Sequence, residues 1–240
     1  MLTNQFDPQN PVATTHNILG SLQSTLQSTW QTVRGMQAFI QLLFDESGSL
    51  EPVWALSQSL VDSPAFQMAA TKMKITPAVA AIMAERYQAP PHNLQDLLKY
   101  PQNSLGYIYA QHMQQWGFQP LEPVMPIDTE TRYVEYRWQQ THDIWHVITG
   151  FDISEMGEIG LQAFYLAQFQ LPLSSLLIAN ALISTTLLQP ESLALLLNVI
   201  AQGYQMGKVA QPLIAQKWEL AWEKPVNQWR AELHVLPITH

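Results

Sequence analysis

Two histidines and two carboxylates near the middle of the chain have the spacing of metal ligands. His142 and His146 are four residues apart, so on a helix their imidazoles lie on one face about one turn apart. Such a pair can bind one divalent ion. Asp143 lies between them and can ligate the same ion or orient an imidazole. The pair needs at least one further ligand from elsewhere in the chain.

A helix hairpin would bring Glu158 to the two histidines. Gly150 is expected to end the first helix and Ser154 to begin the second, so His146 and Glu158 each lie four residues from the turn. At a rise of about 1.5 Å per residue, both are about 6 Å from that turn in an antiparallel helix pair. The predicted metal ligands are therefore His142, Asp143, His146 and Glu158.

The residue types limit which metal this site could hold. The chain has no cysteine, which excludes cysteine zinc sites, iron–sulfur clusters, disulfides and thiol nucleophiles. Nitrogen and oxygen ligands suit zinc, iron or manganese, and two imidazoles fit magnesium less well. If the metal is catalytic, water fills an open position, and Asp143 and Glu158 are the predicted catalytic groups.

Charge and polarity exclude several other functions. The chain has 11 Lys and Arg against 19 Asp and Glu, a net charge of −8, which argues against nucleic acid and against charge-driven docking on an anionic membrane. No residue between Glu158 and Glu191 is charged, although glutamines and a proline argue against a bilayer span. This stretch predicts two buried core helices, or helices that border an apolar groove or rest on a membrane.

The periodicity of apolar residues predicts a mostly helical protein, since few segments alternate with period two. Proline, glycine and capping residues separate the predicted helices, which cover residues 18–44, 51–60, 77–87, 93–100, 104–116, 129–150, 154–170, a helix from 172, one through 204, and 212–233. We expect an all-α, single-domain multi-helix bundle over residues 16–240, with the metal hairpin at 130–170. Residues 1–15 are expected to be a disordered lead-in without a signal or transit segment.

The metal motif has the spacing of a known family. His142-Asp143-x-x-His146, then eleven residues, then Glu158 resembles the HDxxH-x11-E motif of the fourth coenzyme Q biosynthesis protein, a family of the ubiquinone pathway. The resemblance is strongest over residues 100–178, and Gln139 and Gln140 depart from it where the family often has charged residues. Further matches are Ser104-Leu105-Gly106 with Tyr109, Arg137, Trp145-His146-Val147, Thr149-Gly150 and Leu171-Pro172.

This resemblance implies an all-helical fold, a bound divalent metal (usually zinc), and a cavity for a polyisoprenoid tail. It also implies peripheral membrane association, partner enzymes of quinone biosynthesis, and replacement of the ring C1 carboxylate of a polyprenyl-hydroxybenzoate by a hydroxyl. We expect a cytoplasmic homodimer whose metal holds the ring. Arg137 would pair with the substrate carboxylate, and Tyr109 and Tyr133 would be hydrogen-bonding contacts.

Two alternatives use the same residues differently. In the first, the metal only staples the hairpin, and the protein presents lipid to partner enzymes as a non-catalytic scaffold. In the second, His142, Asp143 and the upstream His112 belong to an HD-type metal-dependent phosphohydrolase. A chain poor in Lys and Arg is badly equipped for phosphate, so this alternative ranks last.

Overall fold

The computed structural model describes residues 33–42, 51–121 and 123–238. The chain forms two compact units, Met1–Leu60 and Val61–His240, and each is described here by itself. The described residues form helices and no strand, which confirms the all-α fold class. The predicted lead-in at 1–15 lies outside the described residues, and the single domain over 16–240 stays a prediction.

The first unit contributes two described helices. Helix α1 covers residues 33–42 and helix α2 covers Glu51–Leu60, as predicted for the second of them. The two approach closely where Gly35 faces Ser59, since a Cβ on that glycine would lie 2.6 Å from the serine Oγ. The predicted helix over 18–44 can be compared with the structure only at 33–42, where it is helical.

The second unit carries the candidate site. Its α-helices are α3 Pro64–Met73, α4 Pro77–Glu85, α5 Leu94–Leu97, α6 Leu105–Trp116, α7 Glu130–Thr149, α8 Glu155–Phe169, α9 Pro172–Leu188, α10 Leu193–Val209 and α11 Val226–Glu232. Helix α3 was not predicted. The predicted helix over 212–233 is wrong, because short 3₁₀ turns at 213–215 and 218–220 precede α11. Pro212 and Pro225 lack the N–H that a continuous helix needs.

Side-chain caps fix the ends of the helices around the site. Ser104, Thr129 and Ser154 each accept a hydrogen bond from the backbone N–H three residues on, at 3.1–3.2 Å. Such a cap contributes about 1 kcal/mol. Gly117 and Gly150 end α6 and α7 in the left-handed conformation, with φ of 69° and 81°. The predicted boundaries of these three helices are confirmed.

Helix α8 is held between α7 and α10 by very close packing. A Cβ on Gly203 of α10 would overlap the carbonyl oxygen of Gly160, and one on Gly207 would lie 2.6 Å from the carbonyl oxygen of Phe164. On the other side, the ring of Trp145 in α7 packs edge-on against Phe164, with centroids 5.8 Å apart. These contacts fix the position of α8 along α7, on which the candidate site depends.

Candidate metal centre

Three of the four predicted ligands converge on one point between α7 and α8. The Nε2 atoms of His142 and His146 are 3.2 Å apart. Glu158 places Oε1 3.1 Å from the His146 Nε2 and Oε2 3.6 Å from the His142 Nε2. One ligating atom from each residue therefore lies within 4.8 Å of the other two, as the hairpin register predicts.

These separations match the ligand spacing around a zinc-like ion. With ligand bonds of about 2.0–2.1 Å in tetrahedral geometry, neighbouring ligand atoms are about 3.3 Å apart. The two Nε2 atoms are 3.2 Å apart and the His146 Nε2 is 3.1 Å from Oε1 of Glu158, both close to that edge length, while the His142 Nε2 is 3.6 Å from the other oxygen, Oε2. The two imidazole nitrogens and one carboxylate oxygen can therefore occupy three corners of a tetrahedron, which leaves a fourth position for another ligand.

The hydrogen bonds behind the imidazoles orient both rings toward this point. The Nδ1 of His146 is 2.9 Å from the carbonyl oxygen of Phe151, which can only accept, so Nδ1 carries the proton. The Nε2 of the neutral ring then presents a lone pair to Glu158. The Nδ1 of His142 is 2.8 Å from the hydroxyl of Tyr165. The carboxylate repels a lone pair 3.1 Å away, and a proton or a metal ion between the two would relieve that repulsion.

The pKa shifts of Glu158 and His146 also favour positive charge between the carboxylate and the imidazoles. Burial would raise the pKa of Glu158, but hydrogen bonds and charge from His142 and His146 outweigh burial and hold it well below its usual range. Burial would lower the pKa of His146, but the hydrogen bond and charge of Glu158 outweigh it, so this pKa is raised. The carboxylate is thus ionised at neutral pH, and both shifts favour positive charge between Glu158 and the imidazoles, where a metal ion would bind.

Asp143 lies outside this group of three. Its side chain is half-buried, and within the described part of the chain its carboxylate has no hydrogen bond or ion pair. Burial raises the pKa of Tyr109, and the charge of Asp143 raises it further. Because Tyr109 belongs to α6, the Asp143 carboxylate acts on the side of the site that α6 borders. The partners that orient the imidazoles are instead Phe151 and Tyr165, which sequence reasoning missed. Tyr165 follows Glu158 by seven residues, about two turns along the same face of α8, and this spacing is a signal for it.

Arg137 is engaged in the protein interior. Its guanidinium is fully buried and makes two hydrogen bonds to the carboxylate of Glu219, at 2.7 and 3.1 Å. It also donates to the Gln140 side chain at 2.7 Å and to the Gln216 carbonyl at 2.6 Å. These contacts join α7 to the segment before α11. They leave the predicted substrate contact of Arg137 without support from the geometry.

The two predicted tyrosine contacts have different surroundings. The Tyr133 hydroxyl donates to the Tyr87 carbonyl oxygen at 3.1 Å, so its donor is used within the protein. Tyr109 is buried and stacks on Trp222, with centroids 5.3 Å apart. Burial, and after it the charge of Asp143, raise the pKa of Tyr109. Their roles as substrate contacts stay predictions.

The uncharged stretch after Glu158 divides into a buried part and an exposed part. Helix α8 is mostly buried, as the core alternative predicts. The end of α9 is exposed, with Leu187 and Leu188 at 73% and 70%, and Leu195 and Leu197 of α10 are exposed by more than half. Within 33–42, 51–121 and 123–238, no helix has the length and apolarity needed to cross a bilayer.

Comparisons with known proteins agree with the motif. The sequence matches the family described as "Coenzyme Q (ubiquinone) biosynthesis protein Coq4" over residues 23–239. Two relatives are named "Ubiquinone biosynthesis protein COQ4, mitochondrial". The one from Candida dubliniensis is 31% identical over 187 residues, 75% of this chain and 57% of that protein. The one from Komagataella phaffii is 32% identical over 175 residues, 69% of this chain and 55% of that protein.

A solved structure extends the likeness to the fold. The crystal structure of a protein from Nostoc punctiforme, assigned to ubiquinone biosynthesis, is 36% identical with a TM-score of 0.75. The match covers 84% of this chain and 97% of that one. The present chain spans only a little more than half the length of the two yeast relatives. Since the family match covers most of the sequence, the chain belongs to the Coq4 family of coenzyme Q (ubiquinone) biosynthesis proteins.

Proposed function

We propose that this protein binds one divalent metal ion through His142, His146 and Glu158 and acts in the biosynthesis of a ubiquinone-type quinone. The observation that carries the proposal is that one ligand atom of each residue lies within 4.8 Å of the other two, with each Nε2 3.1–3.6 Å from an oxygen of Glu158, in a member of the Coq4 family. Two imidazoles and a carboxylate favour zinc, with iron or manganese as alternatives. Asp143 is close enough in sequence to complete the site after a side-chain rotation.

The proposed substrate is a polyprenyl-hydroxybenzoate whose ring C1 carboxylate is replaced by a hydroxyl. The ring–carboxylate bond breaks with release of carbon dioxide, a ring carbon–oxygen bond forms to the oxygen of a water molecule with release of two protons, and two electrons pass to an external oxidant such as dioxygen. A bound metal supplies stabilisation of negative charge on the ring oxygen or carboxylate and lowers the pKa of a bound water. The resemblance to the family supports this choice of substrate.

The chain's own residues prepare the centre for such a ligand. Glu158 contributes the anionic ligand, and its low pKa keeps the carboxylate ionised. Phe151 and Tyr165 hold the two imidazoles so that their Nε2 atoms face one point, which spares the cost of ordering them when a metal binds. Asp143 keeps a carboxylate beside the centre as a hydrogen-bond acceptor for a ring hydroxyl.

The exposed leucines at the ends of α9 and α10 support the lipid part of the proposal. Leu187, Leu188, Leu195 and Leu197 are exposed by 51–73%, and α9 carries no charged side chain. Such a face can contact a polyprenyl tail or rest on a membrane surface through apolar contacts. Peripheral membrane association, homodimer formation and contact with other quinone-biosynthesis enzymes belong to the same proposal.

A lipid-presenting scaffold is the second candidate. One observation favours it: the three ligands join α7 to α8, so a metal there would also staple the hairpin. The HD-type phosphohydrolase has no such support, because His112 does not join the group of three ligands.

The substitution Glu158→Gln separates enzyme from scaffold. The amide is nearly isosteric, so the protein should fold, but the anionic ligand is lost. If the metal is catalytic, a host that depends on this protein should stop making quinone and accumulate a carboxylated polyprenyl precursor. If the metal is only a staple, the melting temperature should fall and quinone should decrease only in proportion to folded protein.

The matched control is Glu155→Gln, because Glu155 is exposed in the same first turn of α8. Metal content, melting temperature with and without chelator, and precursor level by mass spectrometry are measured for both variants. The control should behave as the wild type does. Wild-type protein purified without chelator but free of divalent metal would refute the metal assignment, and normal precursor turnover in folded Glu158→Gln protein would refute catalysis.

A further inference from the structure

His112 is a polar side chain beside the candidate centre to which the proposed function gives no role. It lies on α6, and its ring is nearly parallel to that of His146, with planes 20° apart and centroids 6.3 Å apart. Burial lowers its pKa, the charges of His146 and His142 lower it further, and the charge of Asp143 acts in the opposite direction. His112 therefore borders the same site from the side of α6.

The Nε2 of His112 is buried and has no hydrogen-bond partner among the residues that the structure describes. A buried ring nitrogen without a partner costs free energy, and native proteins accept this cost mainly where a ligand, an ion or a water completes the bond. This nitrogen is not part of the group of three metal ligands. A ligand group or a water beside the candidate centre could supply the partner that this nitrogen needs.

Asp143 gives the same side of the site a second polar group. Its carboxylate has no hydrogen bond or ion pair within the described ranges, and its charge acts on both His112 and Tyr109. An imidazole N–H can donate to an anionic oxygen, and a carboxylate can only accept, for example from a hydroxyl. An aromatic ring that carries both an anionic oxygen and a hydroxyl would satisfy both groups.

We propose that His112 is a substrate-contact residue, whose Nε2 donates a hydrogen bond to an oxygen of an aromatic hydroxy acid held at the metal centre. This inference rests on the proposed function, because it takes the ring substrate to bind next to His142, His146 and Glu158. In this arrangement, α6 contributes a side chain that contacts the ring of the substrate.

The test uses 4-hydroxybenzoate as the probe and cobalt-loaded protein, whose visible absorption reports ligand binding. His112→Phe keeps the ring shape and removes both nitrogens, whereas His112→Gln keeps an N–H donor near the Nε2 position. We expect both variants to retain the metal. His112→Phe should weaken probe binding about tenfold or more, and His112→Gln should recover part of that loss. The control is Gln111→Ala, an exposed neighbour on α6, which should bind the probe as the wild type does.

Wild-type affinity for the probe in metal-loaded His112→Phe protein would overturn this inference and leave the metal proposal standing. Loss of the metal in that variant would also overturn it, because His112 would then be needed for the ion itself. The inference would also be overturned if metal-loaded wild-type protein did not bind 4-hydroxybenzoate. If His112→Phe does not fold, His112→Ala replaces it under the same criteria. Wild-type protein that holds no divalent metal would instead refute the proposed function.

Discussion

The hydroxyl of Tyr165 should control how tightly the centre binds a metal. It lies 2.8 Å from the Nδ1 of His142, and the side chain is fully buried. Tyr165→Phe removes this one oxygen and keeps the ring, whose packing against Trp145 and Trp138, with centroids 4.9 and 5.8 Å away, is unchanged. The substitution therefore isolates the hydrogen bond from the shape of the core.

The expected magnitude follows from the role of that bond. With Nε2 on a metal, Nδ1 of His142 carries the proton and donates to the Tyr165 oxygen, which fixes the ring and makes Nε2 a better ligand. Loss of such an outer partner costs about 10–100-fold in metal affinity, or about 1.4–2.7 kcal/mol. Because the phenol is fully buried, water has little access to replace it.

Competition with a chromophoric chelator measures this affinity directly. The matched control is Tyr133→Phe, which removes another buried hydroxyl, one bonded to the Tyr87 carbonyl and not to a candidate ligand. Tyr133→Phe should lower stability without changing the metal dissociation constant. A dissociation constant for folded Tyr165→Phe protein within twofold of the wild-type value, or equal losses in both variants, would refute the reasoning.

Two further predictions concern stability. Arg137→Met should lower the free energy of unfolding by about 3–5 kcal/mol, since it leaves the buried carboxylate of Glu219 without a partner. In urea denaturation, the double variant Arg137→Met, Glu219→Leu should recover part of this stability. A loss below about 1 kcal/mol in Arg137→Met would contradict a buried ion pair. In metal-free protein, the raised pKa of His146 contributes stability that is fully present below about pH 6.5 and is lost as the pH rises through the pKa of the folded state. The depressed pKa of Glu158 contributes stability that is present above about pH 4.3 and is lost in stronger acid. Melting temperature should therefore fall from pH 6.5 to 9 without metal and rise with pH when zinc saturates the centre, and the same sign in both series would exclude metal binding at His146.

Local signals in the sequence were sufficient for the helices of the site. Serine or threonine caps and a following glycine gave the limits of α6 and α7, because each cap acts within one turn of the chain. In the segment 212–233 the local signal of Pro225 against a continuous helix was overlooked, and the conformation before it could not be predicted. That conformation depends on contacts with distant residues, such as that of Glu219 with Arg137, and apolar spacing alone does not distinguish a helix from a packed irregular segment.

The candidate site shows the same division. The three ligands that converge are close in sequence, and the hairpin relates them by counting residues. Phe151 could not be found, because it contributes a backbone carbonyl that any residue would supply. His112 was noted only for an alternative function, since nothing in its local sequence shows that α6 packs beside the centre. The buried partner of Arg137 was likewise beyond local reasoning.

The buried pair of Arg137 and Glu219 also bears on the order in which the protein can mature during synthesis. The two residues are 82 positions apart, so at 5–20 residues per second a ribosome needs about 4–16 s to make the second after the first. The candidate metal ligands from His142 to Glu158 are complete after about 1–3 s at the same rate. Until Glu219 is made, α7 carries candidate ligands and an unpaired guanidinium, which disfavours burial of the helix. If the centre binds a metal as proposed, the ion could therefore bind before α7 reaches its final packing.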